Sequence, residues 1–427
     1  MERSPLTGVK LSSVVPATVT GNNKTRELTS MDLAVKLHYV RSVYFFKPSP
    51  SVRSITIDNF KGPFFRLLQI SDPSVSGRIR RSESDNPTSR PFVRCNDSGV
   101  RIVEATVEGF TVEEWLSAGD RTIDYEYLVY DQVLGPDLDF SPLVVFQMTR
   151  FKCGGISIGL DWAHVLGDAF SASAFMNALS LVLAGQEIPK PLYPEKIGHK
   201  YPVHEKAFSI KKIEPVGNHW LHTNACKMGI QTFCLGSKQI QNLMARYPAL
   251  GKTLSVVEIL YAVVWRSMLN VHKGSNPKII SICEGRRTET CSNNGMVIST
   301  VDIGGLPKEG DSSVLELATL IAEKKIVENG AIESMIDRDG GVSDYILYGA
   351  KLTFVNLGEA DVYRFELDGE KPEYVNYMIH SVGDEGVVMV LQGNQDKGKL
   401  AKVVIMVIPE EQLAKLEGEL KKYWDVI

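Results

Sequence analysis

The stretch Phe151-Lys-Cys-Gly-Gly-Ile-Ser-Ile-Gly-Leu-Asp-Trp-Ala-His-Val-Leu-Gly-Asp168 changes its hydrophobic period part-way along. Ile156, Ile158, Leu160 and Trp162 recur every second residue, which marks one face of a strand, and Ser157, Gly159 and Asp161 take the other. From Ala169 to Ala184 the apolar residues Phe170, Ala174, Ala178, Leu181 and Val182 recur at helical spacing, and Gly185 supplies a stop. A further strand-like segment, Leu143–Phe146, lies on the far side of Gly154-Gly155. His164 therefore falls between the end of a strand and the start of a helix.

Two chemical readings of this junction compete. A histidine at a strand end can turn one ring nitrogen to a cleft, and its ordinary pKa near 6.5 suits removal of a proton from an alcohol or amine. Asp168, four residues on, is placed to cap the helix that begins at Ala169 by accepting backbone N–H groups that would otherwise be orphaned. A His-x-x-x-Asp spacing alone does not decide between a catalytic base and a buried core histidine bonded to a backbone carbonyl.

Working outward, the chain has 427 residues, 44% hydrophobic and 23% charged, enough for two or three domains with sizeable cores. Its net charge of −4 and pI near 6.1 provide no global field for a nucleic acid or an anionic membrane. The six cysteines are scattered without a C-x-x-C pair, which predicts free thiols in a reducing compartment. The longest apolar runs, Val387–Leu391 and Val403–Ile408, fall far short of the roughly 20 residues that span a bilayer, and no targeting pattern marks the N-terminal residues.

Gln186 to Lys212 carries Pro189, Pro191, Pro194 and Pro202 with little periodicity, which suits a long crossover. The expected organisation is an N-terminal domain over 1–185, a crossover over 186–215 and a C-terminal domain over 216–427. Thr111-Val-Glu-Glu114 and Ser255-Val-Val-Glu258 are capping boxes that open one helix in each half. Strand-like VVMVLQ and VVIMVI near the C-terminus precede a charged helix with Leu413, Leu416 and Leu420 inward. Trp162 and Trp265 read as core aromatics. His219-Trp-Leu-His222 with Cys226 has spacings too common to assign a metal, and none is assigned.

The run from Phe151 to Asp168 resembles the core signature of the plant BAHD acyltransferases, which use acyl-CoA donors. Leu28-Thr-Ser-Met-Asp32, Ser76-Gly-Arg-Ile79, Arg94-Cys-Asn-Asp-Ser-Gly99 with Val103-Glu-Ala105, and Val264-Trp-Arg-Ser267 extend the resemblance over nearly the whole chain. It implies an α/β, two-domain fold, each domain a mixed sheet flanked by helices, with a channel between them. It also implies His164 as general base toward an acceptor attacking a thioester, with Asp168 as structural support.

The family's second signature, Asp-Phe-Gly-Trp-Gly, should stand before Lys371-Pro372, where this chain reads Glu366, Leu367, Asp368, Gly369 and Glu370. In the family that segment shapes the CoA entrance and its acid pairs with an arginine; here Glu366 could meet Arg286 or Arg287 by charge alone. Those two arginines could equally bind a CoA phosphate or remain solvated, so no phosphate contact is assigned. TETCSNNGMVIS after Arg287 replaces a proline-rich turn and a Tyr-Phe-Gly-Asn segment, and Ala169 replaces a customary glycine.

A retained histidine with a degenerate second signature, together with LSSVVPATVTG and FVNLGEADVYRFELDGEKPEYVNY, is similar to the eceriferum-2/glossy subgroup of cuticular-wax proteins. That resemblance implies an accessory role in very-long-chain fatty acyl-CoA elongation. The expected partner is an endoplasmic-reticulum condensing enzyme, a 3-ketoacyl-CoA synthase. The chain would be a cytoplasmic monomer by itself, held at the reticulum's cytosolic face through that partner, with no cofactor of its own and acyl-CoA as substrate or ligand. The alternative is an acyl-CoA-dependent O- or N-acyltransferase that uses His164 as its base.

Overall fold

A computed structural model describes residues 4–21, 23–82, 89–118, 122–188, 192, 201–202, 204–248, 254–271, 277–285, 293–304, 311–394 and 400–424. Two mixed sheets flanked by helices organise them. The first runs in the order Leu6–Val14, Val100–Val107, Val144–Phe151, Ile156–Ala163, Tyr39–Phe46 and Tyr374–His380. Only the pair Val100–Val107 with Val144–Phe151 is parallel. The final strand comes from late in the chain and pairs with Tyr39–Phe46, Met378 opposite Arg41.

Every residue of Tyr39–Phe46 and of Ile156–Ala163 is buried, so the polar face of each is enclosed as well as the apolar one. Gly159 shows why that is possible. A Cβ there would lie 2.1 Å from Leu128 O, so a loop packs directly on the strand's backbone and only glycine fits.

The second sheet runs Met228–Leu235, Lys402–Pro409, Val387–Gln392, Leu352–Leu357, Ile279–Glu284, Val297–Asp302 and Ile326–Val327. Its central strands have almost unbroken apolar sequences because both faces are covered. Val387, Met389 and Leu391 face the core shared with the first sheet, whereas Val388 and Val390 face a second core. That second core is closed by the helices Val256–Val271, Asp311–Glu323 and Glu410–Trp424.

Both capping boxes form. Thr111 N donates to Glu114 at 2.7 Å and Glu114 N to Thr111 at 3.1 Å; the Ser255/Glu258 pair repeats this at 2.7 and 3.3 Å. Cys95, Cys153, Cys226, Cys234 and Cys283 carry free thiols, and Cys291 lies outside the described residues. Part of the proline-rich crossover, including Pro189, Pro191 and Pro194, also lies outside them, while Lys211–Ile213 near its end pairs with Asp344–Ile346. Among the described residues no helix is long and apolar enough to cross a membrane.

Candidate functional site

His164 opens a single 3-10 turn, His164–Leu166, directly after the strand Ile156–Ala163. Trp162 fixes that turn from behind, its indole N–H donating to Gly167 O at 3.0 Å, so one face of the strand serves both the core and the site. His164 is 2% exposed, and its backbone N–H donates to His38 O at 3.2 Å.

The imidazole is bonded at both nitrogens. Nδ1 lies 2.8 Å from Asn294 Oδ1, and Nε2 lies 3.1 Å from the Tyr348 hydroxyl. Asn294 decides the tautomer. Its Nδ2 donates to Asp32 Oδ1 at 2.7 Å and to His164 O at 2.9 Å, so its oxygen must face Nδ1, which therefore carries the proton. Nε2 is left with a lone pair, and the Tyr348 O–H donates to it.

Asp32 is itself held, accepting from Thr29 N at 2.9 Å in a capping box and lying 3.6 Å from Arg26. Asn294 bridges it to the histidine, accepting from Nδ1 and donating to Asp32. Burial lowers the His164 pKa to about 4, against the smaller opposing pull of hydrogen bonds and Asp32. At neutral pH the ring is uncharged.

Asp168 makes no contact with the imidazole. It caps the helix Ala169–Leu183, Oδ1 accepting from Phe170 N at 3.0 Å, Ser171 N at 3.1 Å and Ser171 Oγ at 3.4 Å. Burial raises its pKa to about 6, opposed by those hydrogen bonds and by one from the Gly295 backbone. Ser171 Oγ also accepts from Asn293 N at 3.2 Å, which ties the cap to the segment that supplies Asn294.

Glu366, Leu367, Asp368, Gly369 and Glu370 form a tight turn. Leu367 and Glu370 exchange backbone hydrogen bonds of 3.0 and 2.9 Å, and Asp368 and Gly369 take φ of 51° and 78°. Two successive positive φ values are what an Asp-Gly hairpin turn supplies. Glu366 is fixed through its backbone, its N–H donating to Ser180 Oγ at 2.9 Å and its carbonyl accepting from that hydroxyl at 2.8 Å. Its carboxylate lies 3.8 Å from Lys371, whereas Arg286 and Arg287 fall outside the described residues. Phe365, just before the turn, is fully buried against Tyr44 and Phe46.

A cavity of about 340 Å³ lies where the two sheets meet, lined by Arg41, Asp131, His222, Met228, Met378 and His380 among others; neither His164 nor Tyr348 forms part of its wall. Arg41 is neutralised there by Asp131 and by Asp161 at 3.5 Å. Near it Cys226 lies 3.8 Å from Asp384, but among the described residues no three His, Cys, Asp or Glu side chains gather as a metal site. Trp265 is buried, its indole donating to Pro277 O at 2.8 Å.

The structure thus brings His164 and Asp168 into one turn without mutual contact, and places the 366–370 segment at the far end of the helix that Asp168 starts. Sequence reasoning missed Asn294, Tyr348 and His38. Asn294 stood in a segment noted only as a departure from the family, and Tyr348 carried no motif.

Solved structures with this architecture include vinorine synthase, with a TM-score of 0.68 at 16% identity over 98% of both chains. Another is F. graminearum TRI101 complexed with coenzyme A and T-2 mycotoxin, with a TM-score of 0.70 at 14% identity over 94% of this chain and 99% of that one. A family model described as the transferase family matches residues 5–288. The chain belongs to that family, the BAHD acyltransferases. It is 52% identical over 428 aligned positions, 98% of its own length and 99% of the relative's, to Protein ECERIFERUM 2 of Arabidopsis thaliana.

Proposed function

We propose that this protein assists the extension of very-long-chain acyl-CoA for surface wax and does not itself transfer the acyl group. It would act with a condensing enzyme, a 3-ketoacyl-CoA synthase, at the cytosolic face of the endoplasmic reticulum. A very long acyl chain has little solubility in water, so a partner that holds or orients it can aid a membrane-bound enzyme without new chemistry.

The observation that carries this reading is the closed state of His164, 2% exposed and hydrogen-bonded inside the protein at both nitrogens. A general base must reach the acceptor's proton at about 2.6–3.2 Å, and this one has no free position. The full-length similarity to Protein ECERIFERUM 2 supports the same reading. So does the 366–370 turn, whose three carboxylates, Glu366, Asp368 and Glu370, outnumber the cations that flank them in sequence, Arg364 and Lys371. The phosphates of a CoA approaching that turn would meet like charge.

A second reading, an acyl-CoA-dependent O- or N-acyltransferase, is favoured by one feature: Asn294 still sets the tautomer that leaves a basic lone pair on Nε2. Co-expression with a condensing enzyme separates the two. Wild type and His164→Ala, both stably folded, are expected to give the same longer acyl products. Loss of the longer products with His164→Ala would overturn the accessory role.

A further inference from the structure

The segment that carries Tyr348 is locked through its backbone. Gly383 N donates to Tyr348 O at 2.9 Å, Glu385 N to Gly349 O at 3.1 Å and Ala350 N to Leu347 O at 3.2 Å. Gly349 has φ of +85°, and a Cβ there would stand 2.4 Å from Gly383 O, so only glycine lets the chain turn immediately after the tyrosine. From the other side His38 Nε2 accepts from Leu347 N at 3.1 Å and Tyr348 N at 3.4 Å. The edge of the His38 ring meets the tyrosine ring at 5.0 Å between centroids. His38 also receives the His164 backbone N–H, so one residue positions both partners of the His164–Tyr348 contact.

A nucleophile that surrenders its proton to Nε2 must place its O–H or N–H about 2.6–3.2 Å from that nitrogen. The Tyr348 hydroxyl stands there at 3.1 Å. We propose that Tyr348 is a built-in substitute for the acyl acceptor, occupying the attacking group's place and keeping the inherited base silent. The proposal rests on the accessory reading and deepens it by naming the residue that closes the base. Tyr348 acts as a plug and not as a nucleophile. It is 2% exposed and packed against Met296 at 3.7 Å, which leaves no room for a thioester beside its oxygen. Burial also holds its proton on, well above the ordinary tyrosine range.

The test is the rate at which diethyl pyrocarbonate modifies His164 in the full chain at neutral pH, mapped by peptide mass spectrometry against the exposed His204 as internal reference. In wild type His164 should react far more slowly than His204. Tyr348→Phe, which keeps the ring and removes the hydroxyl, should raise the His164 rate about fivefold, one neutral hydrogen bond of about 1 kcal/mol converted at 1.36 kcal/mol per tenfold. Tyr348→Ala should raise it further, and if that variant fails to fold the phenylalanine variant decides alone. Equal rates for His164 and His204 in wild type, or no change with Tyr348→Phe, would overturn the proposal. So would an acyl adduct on Tyr348 after incubating wild type with palmitoyl-CoA, which would make the tyrosine a nucleophile. Failure of the accessory reading shows elsewhere, as ester or amide formed by wild type from acyl-CoA and an acceptor.

Discussion

The two ends of the helix Ala169–Leu183 meet the rest of the protein in different ways. At its start, side chains do the holding: Asp168 caps it, Ser171 reaches Asn293, and Asn294 reaches His164 and Asp32. Near its end, Ser180 grips the backbone N–H and carbonyl of Glu366, and Leu367 pairs with Glu370 through main-chain atoms. A backbone-held segment keeps its position whatever its side chains are, apart from the glycine that the turn needs. That difference explains how a family signature can vanish over 366–370 while the histidine end keeps both of its marker residues.

If the histidine end is held by a buried, uncharged imidazole, its stability must depend on pH. The unfolded chain takes up a proton near 6.5, whereas burial holds the folded His164 neutral down to about 4. Its contribution is therefore complete above pH 6.5 and is lost as pH falls toward 4, by about 3 kcal/mol in all. Urea unfolding at pH 7.5 and pH 5 should show wild type losing more stability than His164→Gln. The buried groups His380, Asp161 and Asp168 are common to both proteins and cancel in that difference, whereas His38, whose pKa is lowered by burial and then by His164, shifts less in the variant and adds to the gap in the same direction. Equal losses would mean that the imidazole is accessible and the contrast between the two helix ends is false.

The cap provides the next effect in size. Asp168→Ala removes the acceptor for the Phe170, Ser171 and Gly295 backbone N–H groups and one hydroxyl in a buried place, and should cost about 2 kcal/mol, the upper part of the range for a helix N-cap. Asp168→Asn keeps an acceptor and should cost less than half as much. A cost for the alanine variant below about 0.5 kcal/mol would remove Asp168 from the list of side chains that hold this end.

How much of this could be read in advance follows the same division. The strand face Ile156, Ile158, Leu160 and Trp162, the helix from Ala169 and the cap at Asp168 all rest on local period and local hydrogen bonding, and these are visible in sequence. The return of Tyr374–His380 to the first sheet is not, because pairing Met378 with Arg41 is a choice between strands of similar composition far apart in the chain. Asn294 and Tyr348 reach His164 across separations of 130 and 184 residues. No spacing rule links them. Asp368-Gly369 is a local turn signal, legible without any relative, whereas comparison with the family signature marks only which residues are absent there.

That turn offers the smallest and sharpest test. Gly369 has φ of 78° and nothing within 4 Å of where a Cβ would be, so Gly369→Ala meets no neighbour and pays only for a left-handed backbone, about 1 kcal/mol. Glu366→Gln should change stability by less than about 0.5 kcal/mol, since its pair with Lys371 is 3.8 Å long between half-exposed and exposed side chains. Thermal unfolding of the two variants ranks them. Should Glu366→Gln prove the more damaging, the carboxylate has a buried or distant partner, Arg286 or Arg287 being the candidates by charge. The segment would then be held by side chains after all, as the histidine end is.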